Sequence, residues 1–232
     1  MMDWLITTDT SIFLYLNSLR SGFSDTFFFL FSGRFIWIPM YGAILFTLYK
    51  SFNWKEATLY VLAVAVTITL ADQLCATFLR PAIERLRPSN PANAISSLVH
   101  CVNNYHPSGY GFPSCHAANT FALATLISLI IRRKALTIFL FLWAITTCYS
   151  RIYLGAHYPG DLLAGAVIGS IIGWIVFTGF KALAQIWAGN KYRSKEIKTL
   201  FSSSKCTYML YASNTIIAVG VLTIIYIAIK SI

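Results

Sequence analysis

The sequence predicts an all-α membrane protein, a polytopic bundle of about six transmembrane helices with an interfacial amphipathic helix at its N-terminus. Of its 232 residues, 57% are hydrophobic and only 11% are charged, and the mean hydropathy is +0.65. Several apolar runs reach the roughly 20 residues that a helix needs to cross a bilayer. A soluble domain of this length would carry many more charged residues, so this composition argues against a soluble fold.

The first segment, residues 3–19, mixes apolar side chains with threonines, serines and Asn17. It is too interrupted to span a membrane and is typical of a helix that lies in the interface. We therefore assign residues 1–25 to an N-terminal interfacial unit. The first ten residues lack a basic stretch followed by an apolar core, so no cleavable signal peptide is expected.

Six apolar runs predict six spanning helices, and four of the runs reach the usual length of about 20 residues. They cover residues 26–49, 57–79, 115–131, 135–149, 161–180 and 208–229. In the fifth run Gly165, Gly169 and Gly173 recur every four residues, and such a small face lets a neighbouring helix pack closely. Residues 26–181 are the predicted core, and residues 182–232 add a basic segment and a C-terminal helix.

The basic residues indicate the orientation, because most of them lie in connections at one end of the predicted helices. These residues are Lys50, Lys55, Arg132, Arg133, Lys134, Lys181, Lys191, Arg193, Lys195, Lys198 and Lys205. By the positive-inside rule this end is cytoplasmic, and the other end carries both termini and a loop at 81–112 that is too polar to span. Orientation accounts for the net charge of +10, so no nucleic-acid partner is expected.

Three polar stretches lie at the non-cytoplasmic ends of the predicted helices, at 80–88, 112–116 and 150–161. They bring four arginines, two histidines and one aspartate to one membrane surface. Arginines grouped in this way repel one another unless an anion offsets their charge. Two predicted helix N-termini, near His116 and Asp161, add positive dipole ends. The expected ligand is therefore a phosphate.

His157 and Asp161 are four residues apart in the third stretch. If a helix begins near Tyr158, with Pro159 and Gly160 in its first turn, the carboxylate returns beneath the imidazole. A carboxylate bonded to one ring nitrogen leaves the other nitrogen free to attack, so this spacing is typical of a nucleophilic histidine. The alternative is a polar connection in which both residues occur by chance.

The three stretches together closely resemble the type 2 phosphatidic acid phosphatases, membrane enzymes that share an active-site pattern with vanadium haloperoxidases. The resemblance rests on Arg80 with six residues to Arg87-Pro88, on Pro113-Ser114-Cys115-His116, and on Ser150-Arg151 with five residues to His157 and three to Asp161. The family pattern has lysine at Arg80 and glycine at Cys115. The likeness covers about residues 26 to 180.

The resemblance implies a role for each matching residue. His157 would attack phosphorus and form a phosphohistidine, Asp161 would orient it, and His116 would act as general acid and then as general base. The phosphate would be bound by Arg80, Arg87, Ser114, Cys115 and Arg151. The arginines supply the positive field, so no metal or other cofactor is expected.

Other polar residues are open to simpler interpretations. Glu84 and Arg85 could form a local ion pair on the loop. His100 and His106 lack partners at metal-ligand spacing and are expected to be solvated. Asp72, inside the second apolar run, could support the arginines. Cys101 and Cys115 could form a disulfide in an oxidising compartment.

The resemblance implies a bacterial enzyme of the inner membrane whose active site faces the periplasm or outer leaflet. It would remove phosphate from a membrane lipid, with lipid A phosphate or undecaprenyl diphosphate ranked first and phosphatidylglycerophosphate and phosphatidic acid as alternatives. A rival from another class is a protein that binds or transports a lipid phosphate without cleaving it. The bilayer and the lipid substrate are the expected partners, and no obligatory protein partner is evident.

Overall fold

The computed structural model describes residues 2–33, 35–52, 54–187 and 205–232, and these ranges are mainly helical. Eight helices of ten or more residues are found in them. They are α1 (Met2–Ser18), α2 (Gly22–Phe31), α3 (Ile38–Ser51), α4 (Trp54–Ile83, with a π-helical stretch at Leu74–Leu79), α5 (Cys115–Ile131), α6 (Lys134–Tyr153), α7 (Pro159–Trp187) and α8 (Lys205–Lys230).

The predicted all-α membrane fold is confirmed. Within the described ranges, four helices are long and apolar enough to cross a membrane, over Trp54–Ile83, Lys134–Tyr153, Pro159–Leu183 and Ser213–Lys230. A fifth span is reached if α2 and α3 are counted together. The remaining predicted span corresponds to α5, an apolar helix of 17 residues.

The predicted first span, 26–49, is not one straight helix. Its two parts, α2 and α3, meet at an angle of 71°. The Trp37 indole bridges the break by donating a hydrogen bond of 2.9 Å to the carbonyl of Phe31. Pro39 stands in the first turn of α3, where its lack of an N–H costs no helical hydrogen bond. The bend carries Ser32 into the polar end of the bundle.

The predicted glycine face of α7 packs directly against α5. A Cβ atom built on Gly169 would lie 2.1 Å from the carbonyl oxygen of Ala118, so no larger residue fits without moving the backbone. Gly165 and Gly173 approach carbonyls of α5 almost as closely. The helices therefore begin side by side, and the amide of Ser114 donates to the carbonyl of Asp161 at 3.0 Å.

Helix α1 packs with one face on the polar end of the bundle. The Phe13 side chain is fully buried, and its ring lies edge-on to Tyr158 with centroids 5.3 Å apart. One helical turn further on, the Asn17 amide donates to the Ile152 and Tyr153 carbonyls. The opposite face of α1 exposes large apolar side chains, including Trp4.

The polar loop between α4 and α5 is held against the connection between α6 and α7. The amide of Ser89 donates to the carbonyl of Gly155 at 3.1 Å, and within the loop itself the amide of Gly111 donates to the carbonyl of Arg85 at 2.8 Å. Gly155 has a φ of +69°, a conformation that side chains other than glycine rarely adopt. These contacts bring Arg87 and His157, which are far apart in the chain, to one place.

Candidate active site

A cavity of about 800 Å³ opens at the polar end of the bundle. All three predicted polar stretches contribute to its wall. The predicted site residues that line it are Arg80, Arg87, Cys115, His116, Arg151 and His157. Ser114 and Asp161 are fully buried behind this wall. The structure therefore brings the eight predicted side chains together around one cavity.

His157 and Asp161 form the contact that their spacing predicts. Helix α7 begins at Pro159, and the Asp161 carboxylate returns toward the preceding connection. Its Oδ2 accepts a hydrogen bond from the Tyr158 amide at 3.0 Å and lies 3.4 Å from Nδ1 of His157. A carboxylate oxygen can only accept here, so Nδ1 carries the ring proton and Nε2 keeps its lone pair.

Arg87 supports the same tautomer from the other side of the ring. Its Nη1 donates to Nε2 of His157 at 3.0 Å and to the Ala156 carbonyl at 3.1 Å. A guanidinium has no acceptor, so Nε2 must be the acceptor. Burial, and then the charge of Arg80, lowers the pKa of Arg87 to about 10, and the side chain stays charged at neutral pH.

His157 is 1% exposed and lies among cations. Burial is the largest cause that lowers its pKa well below the usual value, and Arg87, Arg151 and Arg80 lower it further. Each of these disfavours the imidazolium. The ring is therefore neutral at neutral pH, the form that a nucleophile requires.

We expect histidine NMR spectra of the detergent-solubilised protein to show His157 as a neutral ring with its proton on Nδ1. This state should persist as the pH falls through about 6.5, where an unperturbed histidine titrates. A His157 resonance that titrates near pH 6.5 would contradict the assignment.

Arg151 and Arg80 complete the group of cations. Arg151 is 3% exposed, and it donates to the hydroxyls of Tyr105, at 2.8 Å, and Ser32. Its Nε is buried without a hydrogen-bond partner among the described residues. Arg80 directs Nε to the carbonyl of Pro113 at 3.1 Å. Three guanidinium groups around one cavity create a site that favours a multiply charged anion.

The N-terminus of α5 contributes the second predicted stretch. Ser114 is its N-cap, and the hydroxyl accepts from the Ala117 amide at 3.5 Å. Because the hydroxyl uses only a lone pair in this contact, its proton is still available for donation. His116 stands in the first turn and faces the cavity. Cys115 also faces it, and its thiol donates a long hydrogen bond of 4.0 Å to the carbonyl of Asp72.

Several other sequence-based expectations need correction. Cys101 and Cys115 are free thiols and form no disulfide with each other. Asp72 accepts a hydrogen bond from the Asn119 amide at 3.1 Å, not from an arginine. His106 is exposed, as expected for a solvated residue, whereas His100 is half-buried and lies 3.3 Å from Asp25.

Arg85 does not form the local pair with Glu84 that was one expectation. Its Nη1 donates to Oδ1 of Asp161 at 2.8 Å, and its Nη2 donates to Asp9 at 2.6 Å. Arg85, Asp9, Ser32 and Tyr105 are the polar contacts of the site that sequence reasoning missed. Arg85 lies within the first polar stretch, a signal that could have found it, but Asp9 and Ser32 come from separate segments.

The remaining wall of the cavity is largely apolar. It is lined by side chains of α3, α4 and α6, among them Tyr41, Ile44, Leu45, Val64, Ile68 and Trp143. The cavity therefore has a cationic end and a hydrocarbon-like end, which suits an amphiphile with a phosphate group. Among the described residues, no group of three or more His, Cys, Asp or Glu side chains is placed to hold a metal ion.

Comparison with known proteins yields close matches. The PAP2 superfamily profile matches residues 56–185. The chain is 52% identical over 177 residues to a lipid A 4'-phosphatase of Bacteroides thetaiotaomicron, covering 76% of this chain and 79% of the relative. It is 34% identical over 188 residues to a lipid A 4'-phosphatase of Porphyromonas gingivalis, covering 81% and 79%. The crystal structure of Aquifex aeolicus LpxE aligns with a TM-score of 0.55 and 26% identity, covering 73% of this chain and 94% of that one.

Proposed function

The chain belongs to the PAP2 superfamily and is a multi-pass membrane lipid phosphatase. We propose that it removes a phosphate from lipid A through a phosphohistidine at His157. The observation that carries the chemistry is the contact of Nε2 of His157 with Arg87 in a cavity that is cationic at one end and apolar at the other. The substrate is supported by two relatives named lipid A 4'-phosphatase.

Substrate binding prepares the nucleophile. The lone pair of Nε2 accepts a hydrogen bond from Arg87 in the structure. A phosphate in the cavity attracts the guanidinium groups of Arg80, Arg87 and Arg151 to its oxygens, and this frees Nε2 to face phosphorus. The Nε of Arg151, which has no hydrogen-bond partner in the part of the chain that the structure describes, supplies a further donor. Attack is thus coupled to occupation of the site.

In the first chemical step, the lone pair of Nε2 attacks phosphorus and the bond from phosphorus to the lipid oxygen breaks. The leaving oxygen takes the electron pair and a proton from His116, so the lipid departs as an alcohol. His157 now carries the phosphoryl group and a positive charge. Asp161 stabilises that charge through Nδ1.

In the second step, water attacks the phosphohistidine. His116, now neutral, takes a proton from the water, and the bond from phosphorus to Nε2 breaks. The electron pair returns to Nε2 and inorganic phosphate leaves. The arginines stabilise the charge that spreads over the phosphoryl oxygens in both steps, so the proposed mechanism needs no metal ion.

The cavity opens at the end of the bundle opposite the basic connections. By the positive-inside rule this end faces away from the cytoplasm. We therefore propose that the protein lies in the inner membrane and presents its active site to the periplasm. A lipid in the outer leaflet of that membrane can place its headgroup at the cationic end and its hydrocarbon against the apolar wall.

The substrate proposal is tested by phosphate release from the detergent-purified protein. The panel contains lipid A bearing a 4'-phosphate, undecaprenyl diphosphate, phosphatidylglycerophosphate and phosphatidic acid, each with and without EDTA. We expect the fastest release from lipid A and the same rate in EDTA. Faster release from undecaprenyl diphosphate than from lipid A would overturn the proposal that lipid A is the substrate. Loss of activity in EDTA would overturn the metal-free mechanism. No release from any lipid would contradict the proposed function.

A further inference from the structure

A continuous chain of charged contacts leads from the nucleophile to helix α1. Nδ1 of His157 lies 3.4 Å from Oδ2 of Asp161, and Oδ1 of Asp161 accepts from Arg85 at 2.8 Å. The other amino group of Arg85 donates to Oδ2 of Asp9 at 2.6 Å. Asp9 lies outside the matched family region at 56–185. The chain thus connects the predicted dyad to a helix that the family profile does not include.

Helix α1 presents three residues of one face to this end of the bundle. Asp9, Phe13 and Asn17 follow one another at intervals of four, so they lie above one another along the helix. Phe13 is buried against Tyr158, and Asn17 bonds to carbonyls at the end of α6. These two contacts set the register that places Asp9 at the first turn of α7.

Asp9 also contacts the backbone beside the nucleophile. Its Oδ1 accepts a hydrogen bond of 2.8 Å from the amide of Gly160, an otherwise unpaired donor in the first turn of α7. A Cβ atom on Gly160 would lie 2.9 Å from Oδ2 of Asp9. The glycine is therefore what allows the carboxylate to come this close.

We propose that Asp9 is a positioning residue of the active site: through Arg85 and Gly160 it holds the Asp161 carboxylate, and hence the imidazole of His157, in the orientation that attack requires. The inference rests on the proposed function.

The physical reason lies in the geometry of Arg85. A guanidinium bound to one carboxylate can still swing about that contact, whereas two carboxylates on its two amino groups fix its plane. Its central carbon also lies 4.0 Å from the centre of the Tyr158 ring, so the guanidinium packs against this ring as well as against the two carboxylates. Asp161 is fully buried, with Oδ2 bonded to the Tyr158 amide and Oδ1 to Arg85, so a fixed Arg85 fixes the second carboxylate oxygen.

Asp9 also affects the charge of the dyad. Cations reach the dyad from several elements, whereas Asp9 is an acid that is joined to the dyad through Arg85. The ionisable groups around it are Arg80 at the end of α4, Arg85 and Arg87 in the loop, His116 on α5, Arg151 on α6, Tyr158 before α7 and Asp9 on α1. Removing the negative charge of Asp9 disfavours the imidazolium of His157, so the pKa of His157 falls.

The test compares Asp9→Asn with Asp3→Asn in the full-length protein, using the best lipid of the panel. Asp3 is an exposed acid on the same helix, so the two variants share the same change in net charge. We expect Asp9→Asn to lower kcat roughly 10- to 100-fold, because a misplaced nucleophile loses rate without losing substrate affinity. KM should stay unchanged, and the acid limb of kcat/KM should move to lower pH. Asp3→Asn should match the wild type in kcat, in KM and in the pH of the acid limb.

The inference would be overturned if Asp9→Asn had the same kcat and the same acid limb of kcat/KM as Asp3→Asn. It would also be overturned if kcat fell in Asp9→Asn while the acid limb stayed at the wild-type pH. Wild-type protein without phosphatase activity would instead contradict the proposed function. If Asp9→Asn does not fold, Gly160→Ala decides, because its methyl group displaces the Asp9 carboxylate and leaves the charge in place. It should lower kcat with KM unchanged, and wild-type kcat in that variant would overturn the inference.

Discussion

Replacing His157 with Gln is expected to abolish phosphate release, with a loss of about ten-thousand-fold or more. The amide side chain has about the size of the imidazole and can still accept from Arg87, but it has no nitrogen lone pair that can attack phosphorus. The remaining hydrogen bonds around Ala156 and Tyr158 do not depend on the ring. The variant should therefore fold and still bind the lipid, and phosphate release and lipid binding should be measured side by side.

His106→Gln is the matched control, because His106 is exposed and lies outside the cavity wall. It should retain wild-type activity. Alkaline-quenched wild-type protein should carry a phosphoryl group on the peptide that contains residue 157, as detected by mass spectrometry, and His157→Gln should carry none. Appreciable turnover by His157→Gln, or a phosphoryl group on another residue, would refute the covalent mechanism.

Substitution of Gly169 by Ala should lower both stability and activity. The new methyl group would lie 2.1 Å from the carbonyl oxygen of Ala118, and backbone atoms cannot turn aside as a side chain can. Forcing extra atoms into a packed contact costs about 1–3 kcal/mol, sometimes more. The strain separates α5 from α7, and these two helices carry His116 and Asp161, so the general acid moves away from the nucleophile.

Gly179→Ala on the same helix is the comparison for this experiment. Gly179 is exposed, and a Cβ atom there meets nothing within 4 Å. Thermal unfolding of the detergent-purified variants should show a midpoint several degrees lower for Gly169→Ala and a midpoint no lower than the wild type for Gly179→Ala. Equal midpoints for the two variants would contradict the close packing of α5 and α7.

The sequence alone was sufficient wherever the deciding interaction is local or periodic. Hydropathy identified the apolar helices, because a bilayer requires a continuous apolar length. The interval of four between His157 and Asp161 predicted their contact, since helical geometry returns the side chain after one turn. The same interval among Gly165, Gly169 and Gly173 predicted a close helix contact, although not that α5 is the partner.

Only the tertiary structure decided the contacts between segments that are distant in the chain. Arg85 pairs with Asp9 and Asp161 rather than with its neighbour Glu84, although each partner is 76 residues away from it. Arg151 reaches Ser32 because the first predicted span bends between α2 and α3. Pattern and spacing describe what one segment can do, whereas the packing of α1, α2 and the polar loop on the ends of α6 and α7 decides which charges meet.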